Sequence, residues 1–285
     1  MTKHFYEINF FGAIAIIILS KTYNILVQSL KRIIPNTLTA LNFISGCFAT
    51  YFAFKGFFVI VFFLVLLGTF FDLFDGLLSR LLKVESNFGI QFDSMADLIT
   101  CGMVPGIVMY NLLARTDIQG RNFILKLFEN EFNMSFVPLG FIGFLITLAT
   151  SIRLAKFNID KASRNEFKGL PSPVNALFIV SLPILIENPL LIDFRYLIES
   201  QPTLLAIIII SCILMNINIP FFSLKSISFK NERLKILVLF ILSIPLFSKF
   251  YFASFPIIIL TYILLNLLVI IGRKLGLSLK FEQYD

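Results

Sequence analysis

Apolar residues in this chain run in blocks rather than alternating with polar ones. Apolar blocks fall at 36–54, 57–80, 89–113, 136–157, 173–194, 203–222, 235–248 and 253–272. Most hold about 20 residues, enough for a helix to cross about 30 Å of hydrocarbon. A helix satisfies its own backbone polar groups where no water can. The pattern predicts an all-α fold: a polytopic transmembrane helical bundle of about eight spans, one domain over 31–285 with no internal repeat. Proline-bearing stretches such as Gly169-Leu-Pro-Ser-Pro173 mark the starts of spans rather than linkers.

Residues 1–30 follow a different pattern. Phe10 to Leu19 is apolar but short, and Lys21, Tyr23 and Asn24 follow soon after. We read this N-terminal extension as an interfacial helix lying on the membrane. A ninth span and a non-native extension are the alternatives. A cleaved signal peptide fits less well, because no small-residue cleavage site follows.

Composition agrees with the blocks. Of 285 residues, 58% are hydrophobic and 14% charged, against about 25% charged in an average soluble domain. The net charge of +7 does not point to nucleic acid. With the 31–35 segment inside, sixteen Lys and Arg collect at cytoplasmic ends of spans and six at outer ends. That is a positive-inside bias, and it predicts a multi-pass protein of the cell (cytoplasmic) membrane with both ends inside. Cys47, Cys101 and Cys212 show no metal or disulfide spacing, and the only histidine is His4. His-dependent triads and His-ligated metals are thereby excluded, so any metal here is held by oxygen.

The chemistry concentrates in Phe71-Asp-Leu-Phe-Asp-Gly-Leu-Leu-Ser-Arg80 and Gly89-Ile-Gln-Phe-Asp93-Ser-Met-Ala-Asp97. Carboxylates within hydrophobic helices are costly and mark function by default. At about 100° per residue, Asp72, Asp75, Gly76, Ser79 and Arg80 share an arc of about 140°. Gly89, Asp93 and Asp97 recur every four residues as a second stripe. Only residues 81–88 intervene, so the two helices are expected to be antiparallel neighbours with facing stripes. Four converging carboxylates repel one another unless cations lie between them. An all-oxygen set suits two hard divalent ions, Mg²⁺ or Mn²⁺ first and Ca²⁺ next. Such a pair clamps phosphate oxygens during an in-line displacement. Glycines on the stripes admit a bulky diphosphate, and the Arg80 fork matches phosphate oxygens. Solvated interfacial aspartates are the plain alternative.

The string Asp72-x2-Asp75-Gly76-x2-Ser79-Arg80-x8-Gly89-x3-Asp93-x3-Asp97 resembles the signature of the CDP-alcohol phosphotransferase family. Every spacing agrees; Ser79 stands where that family usually has Ala. The resemblance implies that Asp72, Asp75, Asp93 and Asp97 bind two divalent metals, with Asp97 also the base for the acceptor hydroxyl. It implies that Gly76, Arg80 and Ser86 bind the CDP part of the donor, with Ser79 and Gly89 on the same stripes. Upstream, Pro35-Asn-Thr-Leu-Thr-Ala-Leu-Asn42 also resembles the family, which makes Asn36, Thr39 and Asn42 further CDP-lipid candidates. Ordinary helix capping by Asn36 or Thr37 is the competing explanation.

Three more stretches are similar to the small bacterial and archaeal members that make phosphatidylserine. They are Phe92-Asp-Ser-Met-Ala-Asp-Leu-Ile with Gly102-Met-Val-Pro105, Arg153-Leu-Ala-Lys-Phe-Asn158, and Gly169-Leu-Pro-Ser-Pro173. The expected partners are therefore CDP-diacylglycerol and L-serine, with the active site facing the cytoplasm and a homodimer implied by the resemblance. Arg153 and Lys156 offer cations to the serine carboxylate, although both also fit as positive-inside anchors. Glycerol 3-phosphate or an inositol phosphate is the alternative acceptor. An ion-coupled transporter is the alternative class, and it predicts two related halves, which the chain does not show.

Overall fold

The computed structural model describes residues 2–116, 121–127, 130–159, 169–218 and 243–274. Helix α1 spans Thr2–Phe54, α2 Phe58–Leu81 and α3 Asn87–Asp97. A π-helical segment, Leu98–Met103, joins α3 to α4, Val104–Thr116. Strands β1 (Arg121–Leu127) and β2 (Asn130–Phe136) follow, then a 3-10 segment, Pro138–Phe144, that enters α5, Leu145–Ile159. Beyond them lie α6 (Ser172–Ile186), α7 (Ile192–Ile198), α8 (Gln201–Asn216) and α9 (Phe255–Lys274).

Among the described residues, five helical stretches are long and apolar enough to cross a membrane: Gln28–Phe54, Phe58–Leu81, Asn87–Thr116, Pro138–Ile159 and Ser243–Leu268. The last contains a break, where Tyr251 adopts φ 49° and a 3-10 turn, Tyr251–Ser254, leads into α9. The expected division near 249–252 thus matches a real interruption, while residues 235–242 lie outside the described part. Helices α6 and α8 are shorter than the blocks at 173–194 and 203–222. After Ile186 the chain turns through Pro189–Leu191 into the short α7, because Pro189 cannot donate the backbone bond that would continue α6.

Two differences from the sequence reading concern local structure. The block expected to begin at 36 has no start there, since α1 runs unbroken from Thr2 with Pro35 inside it. Capping by Asn36 or Thr37 is therefore ruled out, and Thr37 Oγ1 instead donates back to the Ile33 carbonyl at 2.7 Å. The all-α expectation also omitted the antiparallel ribbon, which pairs Arg121 with Phe136 and Leu127 with Asn130. Its signal was present as period-two alternation at Phe123, Leu125 and Leu127 and at Phe132, Met134 and Phe136.

Packing departs from the soluble pattern in having apolar residues on both faces of a helix. Helix α2 buries Phe58, Val61, Phe62, Val65 and Gly68 inward and turns Val59, Phe63, Leu67 and Phe70 outward. Short α6 is buried on nearly every face, as expected of an apolar helix at the centre of a bundle. Where apolar burial does not separate helix from lipid, close backbone approach does the work, and small residues permit it. A Cβ on Gly68 would stand 2.8 Å from Asn42 Oδ1 and 2.8 Å from Thr100 Cγ2. One on Gly143 would meet Tyr110 N at 2.7 Å and the Gly106 carbonyl oxygen at 2.8 Å. The Gly68 contact brings α1, α2 and the π segment together, the Gly143 contact seats the 3-10 segment on α4, and the acidic residues lie along the first junction.

Candidate active site

The second acidic stripe begins at a cap. Ser86 is extended (φ −141°, ψ 150°), and its side chain accepts from the Gly89 amide at 3.0 Å. This satisfies one of the orphan donors at a helix start and fixes where α3 begins, and with it where Asp93 and Asp97 fall. Ser86 is thus the cap of α3.

Asp72 and Asp75 of α2 and Asp93 of α3 each place a carboxylate oxygen so that all three lie within 4.8 Å of one another. The facing stripes expected from spacing are therefore brought together by the fold. Asp75 is 5% exposed and Asp97 8%. At an effective dielectric of about 20, two unit charges about 4.8 Å apart repel by on the order of 3 kcal/mol. Three such pairs approach about 10 kcal/mol, comparable with the whole stability of a domain. The cluster calls for counter-charge, and the residues fit it: Asp93 Oδ1 is buried with no hydrogen-bond partner, as a carboxylate oxygen kept for a cation would be.

Helix α1 closes the site from the other side. Thr39 Oγ1 donates to Asp75 Oδ2 at 2.5 Å. One turn deeper, Asn42 Nδ2 donates to Asp97 Oδ1 at 3.2 Å. The Asn42 Oδ1 accepts from Thr100 Oγ1 at 2.8 Å, and Thr100 also reaches the Asn42 carbonyl at 3.2 Å. Asp97 stands apart from the three-carboxylate group, oriented by this amide. Asn36 lies at the Gly89 contact, its Oδ1 3.6 Å from where a Cβ on Gly89 would be.

The π segment explains Thr100. One residue per turn beyond the α-helical count shifts the face presented after Asp97, and such bulges recur at functional sites. Here it carries Thr100 toward Asn42, and Thr147 Oγ1 satisfies the Gly102 carbonyl at 2.9 Å. Sequence reasoning passed over Thr100, because a regular 3.6-residue count does not foresee the bulge. It also passed over Asn158, whose Nδ2 donates to Ser94 Oγ at 2.9 Å and so ties the end of α5 beside Asp93.

Gly76 faces open space, with nothing within 4 Å of a Cβ built there. Arg80 borders that space, its Nε donating to the Gly76 carbonyl at 2.8 Å, and Ser79 Oγ donates to the same carbonyl at 3.2 Å. Arg153 and Lys156 separate. Arg153 donates to the Leu170 carbonyl and to Ser172 Oγ at 3.2 Å, joining α5 to the start of α6. Lys156 is exposed.

The chain is similar to known proteins over most of its length. The model of the CDP-alcohol phosphatidyltransferase family matches residues 32–222. The CDP-diacylglycerol–serine O-phosphatidyltransferase of Helicobacter pylori is 30% identical over 213 residues, covering 74% of this chain and 80% of the relative. The Bacillus subtilis protein of the same name is 32% identical over 164 residues, or 56% of this chain and 79% of that one. The archaetidylserine synthase of Methanothermobacter thermautotrophicus is 30% identical over 150 residues, or 52% and 56%.

Proposed function

This chain belongs to the CDP-alcohol phosphatidyltransferase family, and we propose that it transfers phosphatidyl from CDP-diacylglycerol to the hydroxyl of L-serine, releasing phosphatidylserine and CMP. The observation that carries the proposal is the group of three carboxylates within 4.8 Å of one another on two apolar helices. The names of its relatives support serine as the acceptor.

In this reading Asp72, Asp75, Asp93 and Asp97 hold two divalent cations, Mg²⁺ or Mn²⁺ with Ca²⁺ a weaker candidate. Bound there, the cations neutralise the diphosphate and the charge gathering on the departing CMP. The donor's acyl chains stay in lipid while its CDP enters beside Gly76, where the absence of a side chain leaves room. Arg80 braces the diphosphate with its fork. Asn42 holds Asp97 in position, and Asp97 accepts the proton of the serine hydroxyl as that oxygen attacks the lipid-side phosphorus in line. CMP leaves from the opposite side in a single displacement. Positioning and fixed charge account for the rate. Arg153, anchored at the start of α6 while Lys156 is exposed, is the better-placed partner for the serine carboxylate.

Basic residues concentrated at one set of helix ends support a cytoplasmic active site in the cell membrane, and the family resemblance supports a homodimer. The deciding experiment supplies purified protein with CDP-diacylglycerol, Mg²⁺ or Mn²⁺, and labelled L-serine or glycerol 3-phosphate. Serine should give labelled phosphatidylserine and equimolar CMP, EDTA should stop both, and Asp97→Asn should bind donor without turnover. Product from glycerol 3-phosphate alone would overturn the acceptor; normal turnover by Asp97→Asn would overturn the base.

A further inference from the structure

Helix α1 turns one face along the whole length of the site. Asn42 meets Asp97, Thr39 meets Asp75, and Asn36 lies at the Gly89 contact. One turn nearer the helix start comes Arg32. At about 100° per residue, Arg32, Asn36, Thr39 and Asn42 share an arc of about 120°. Exposure follows the same arc: Ile33 and Ile34 are 57% and 53% exposed, while Arg32 is half-buried and Pro35 buried. Arg32 Nε is enclosed and has no hydrogen-bond partner. A membrane anchor has no reason to face inward with a buried, unsatisfied donor; a ligand-binding fork does.

Depth decides which part of a ligand it would meet. Arg32 precedes Thr39 by seven residues, about 10 Å of helix at about 1.5 Å per residue. Side chains lean toward the helix N-terminus, so its guanidinium reaches farther still from the carboxylates. Arg80 lies on α2, which runs the opposite way, and it leans back onto the Gly76 carbonyl beside Asp75. The two arginines therefore serve different depths: Arg80 the diphosphate, Arg32 the part of the donor one nucleoside farther out.

We infer that Arg32 binds the nucleoside end of the CDP-activated donor, its fork donating to the adjacent O2 and N3 acceptors of cytosine. A guanidinium presents two parallel N–H donors to such a pair. Uracil carries an N–H at N3 and meets the same fork with a donor, so the contact also selects the base. This inference rests on the site being the CDP-lipid site.

The test uses purified wild type, Arg32→Ala and Arg32→Lys with Mg²⁺, and measures binding of CMP, UMP and inorganic pyrophosphate by calorimetry. Wild type should prefer CMP to UMP. Both variants should bind CMP about tenfold more weakly or worse, as expected for losing hydrogen bonds from a charged group, and should lose the preference over UMP. Pyrophosphate, which reaches only the diphosphate region, should keep its affinity within about twofold. The lysine variant keeps the charge, so unchanged CMP binding in Arg32→Lys would show a membrane anchor and overturn the inference. A parallel loss of pyrophosphate affinity would overturn it too, as general electrostatics. Should wild type bind pyrophosphate but no cytidine nucleotide, the donor-site reading itself fails.

Discussion

Asn42 is the side chain through which α1 holds Asp97, and its removal gives the sharpest test of the arrangement. The residue is fully buried, donates to Asp97 Oδ1 at 3.2 Å and accepts from Thr100 Oγ1 at 2.8 Å. Asn42→Ala deletes both bonds and leaves Asp97 free to swing. A hydrogen bond to a charged group is worth about 1.5–3 kcal/mol. If that bond serves to hold Asp97 in its reacting position, its loss lowers kcat/KM between about tenfold and a hundredfold. The matched control is Ser45→Ala, one turn along the same helix. Ser45 Oγ donates to the Leu64 carbonyl at 2.6 Å and touches none of the aspartates, so its loss should cost about 1 kcal/mol of stability and little activity. The assay is CMP release from CDP-diacylglycerol at varied serine, normalised to protein that elutes as a single folded species. Asn42→Ala activity within about twofold of Ser45→Ala would refute the role assigned to this contact.

Two glycines should respond in opposite ways. Gly143→Ala pushes a Cβ against the Tyr110 and Gly106 backbones, which cannot yield, so stability should fall by about 1–3 kcal/mol or more, read as a lower melting temperature. Gly76→Ala meets nothing within 4 Å, so it should melt like wild type yet raise the KM for the CDP-lipid by filling space the donor needs. Arg153→Lys should raise the serine KM and lower the melting temperature together, because one ammonium cannot reproduce a fork spanning the Leu170 carbonyl and Ser172 Oγ. Lys156→Ala should leave the serine KM within about twofold.

The order of apolar blocks along the chain determined the membrane class and most of the helices; 57–80 differs by one residue at each end from the observed Phe58–Leu81. Hydropathy is local, so it survives translation into structure. The spacing of Asp72, Asp75 and Asp93 foretold a shared site for the same reason, because helix periodicity ties spacing to face. What the pattern could not supply was the junction between helices. The approach of α1 depends on side-chain-free faces at glycines such as Gly68, and the hold on Asp97 depends on a π segment that brings Thr100 to Asn42. Neither leaves a periodic signature in one strand of sequence. The end of α6 falls short of the apolar block because apolarity alone sets no helix length where the surroundings are protein rather than lipid. Residue types and their spacing specified which carboxylates the proposed chemistry rests on. Only tertiary packing decided their distances, since a carboxylate's partner lies on another helix, and contact between helices is a property of the assembled bundle.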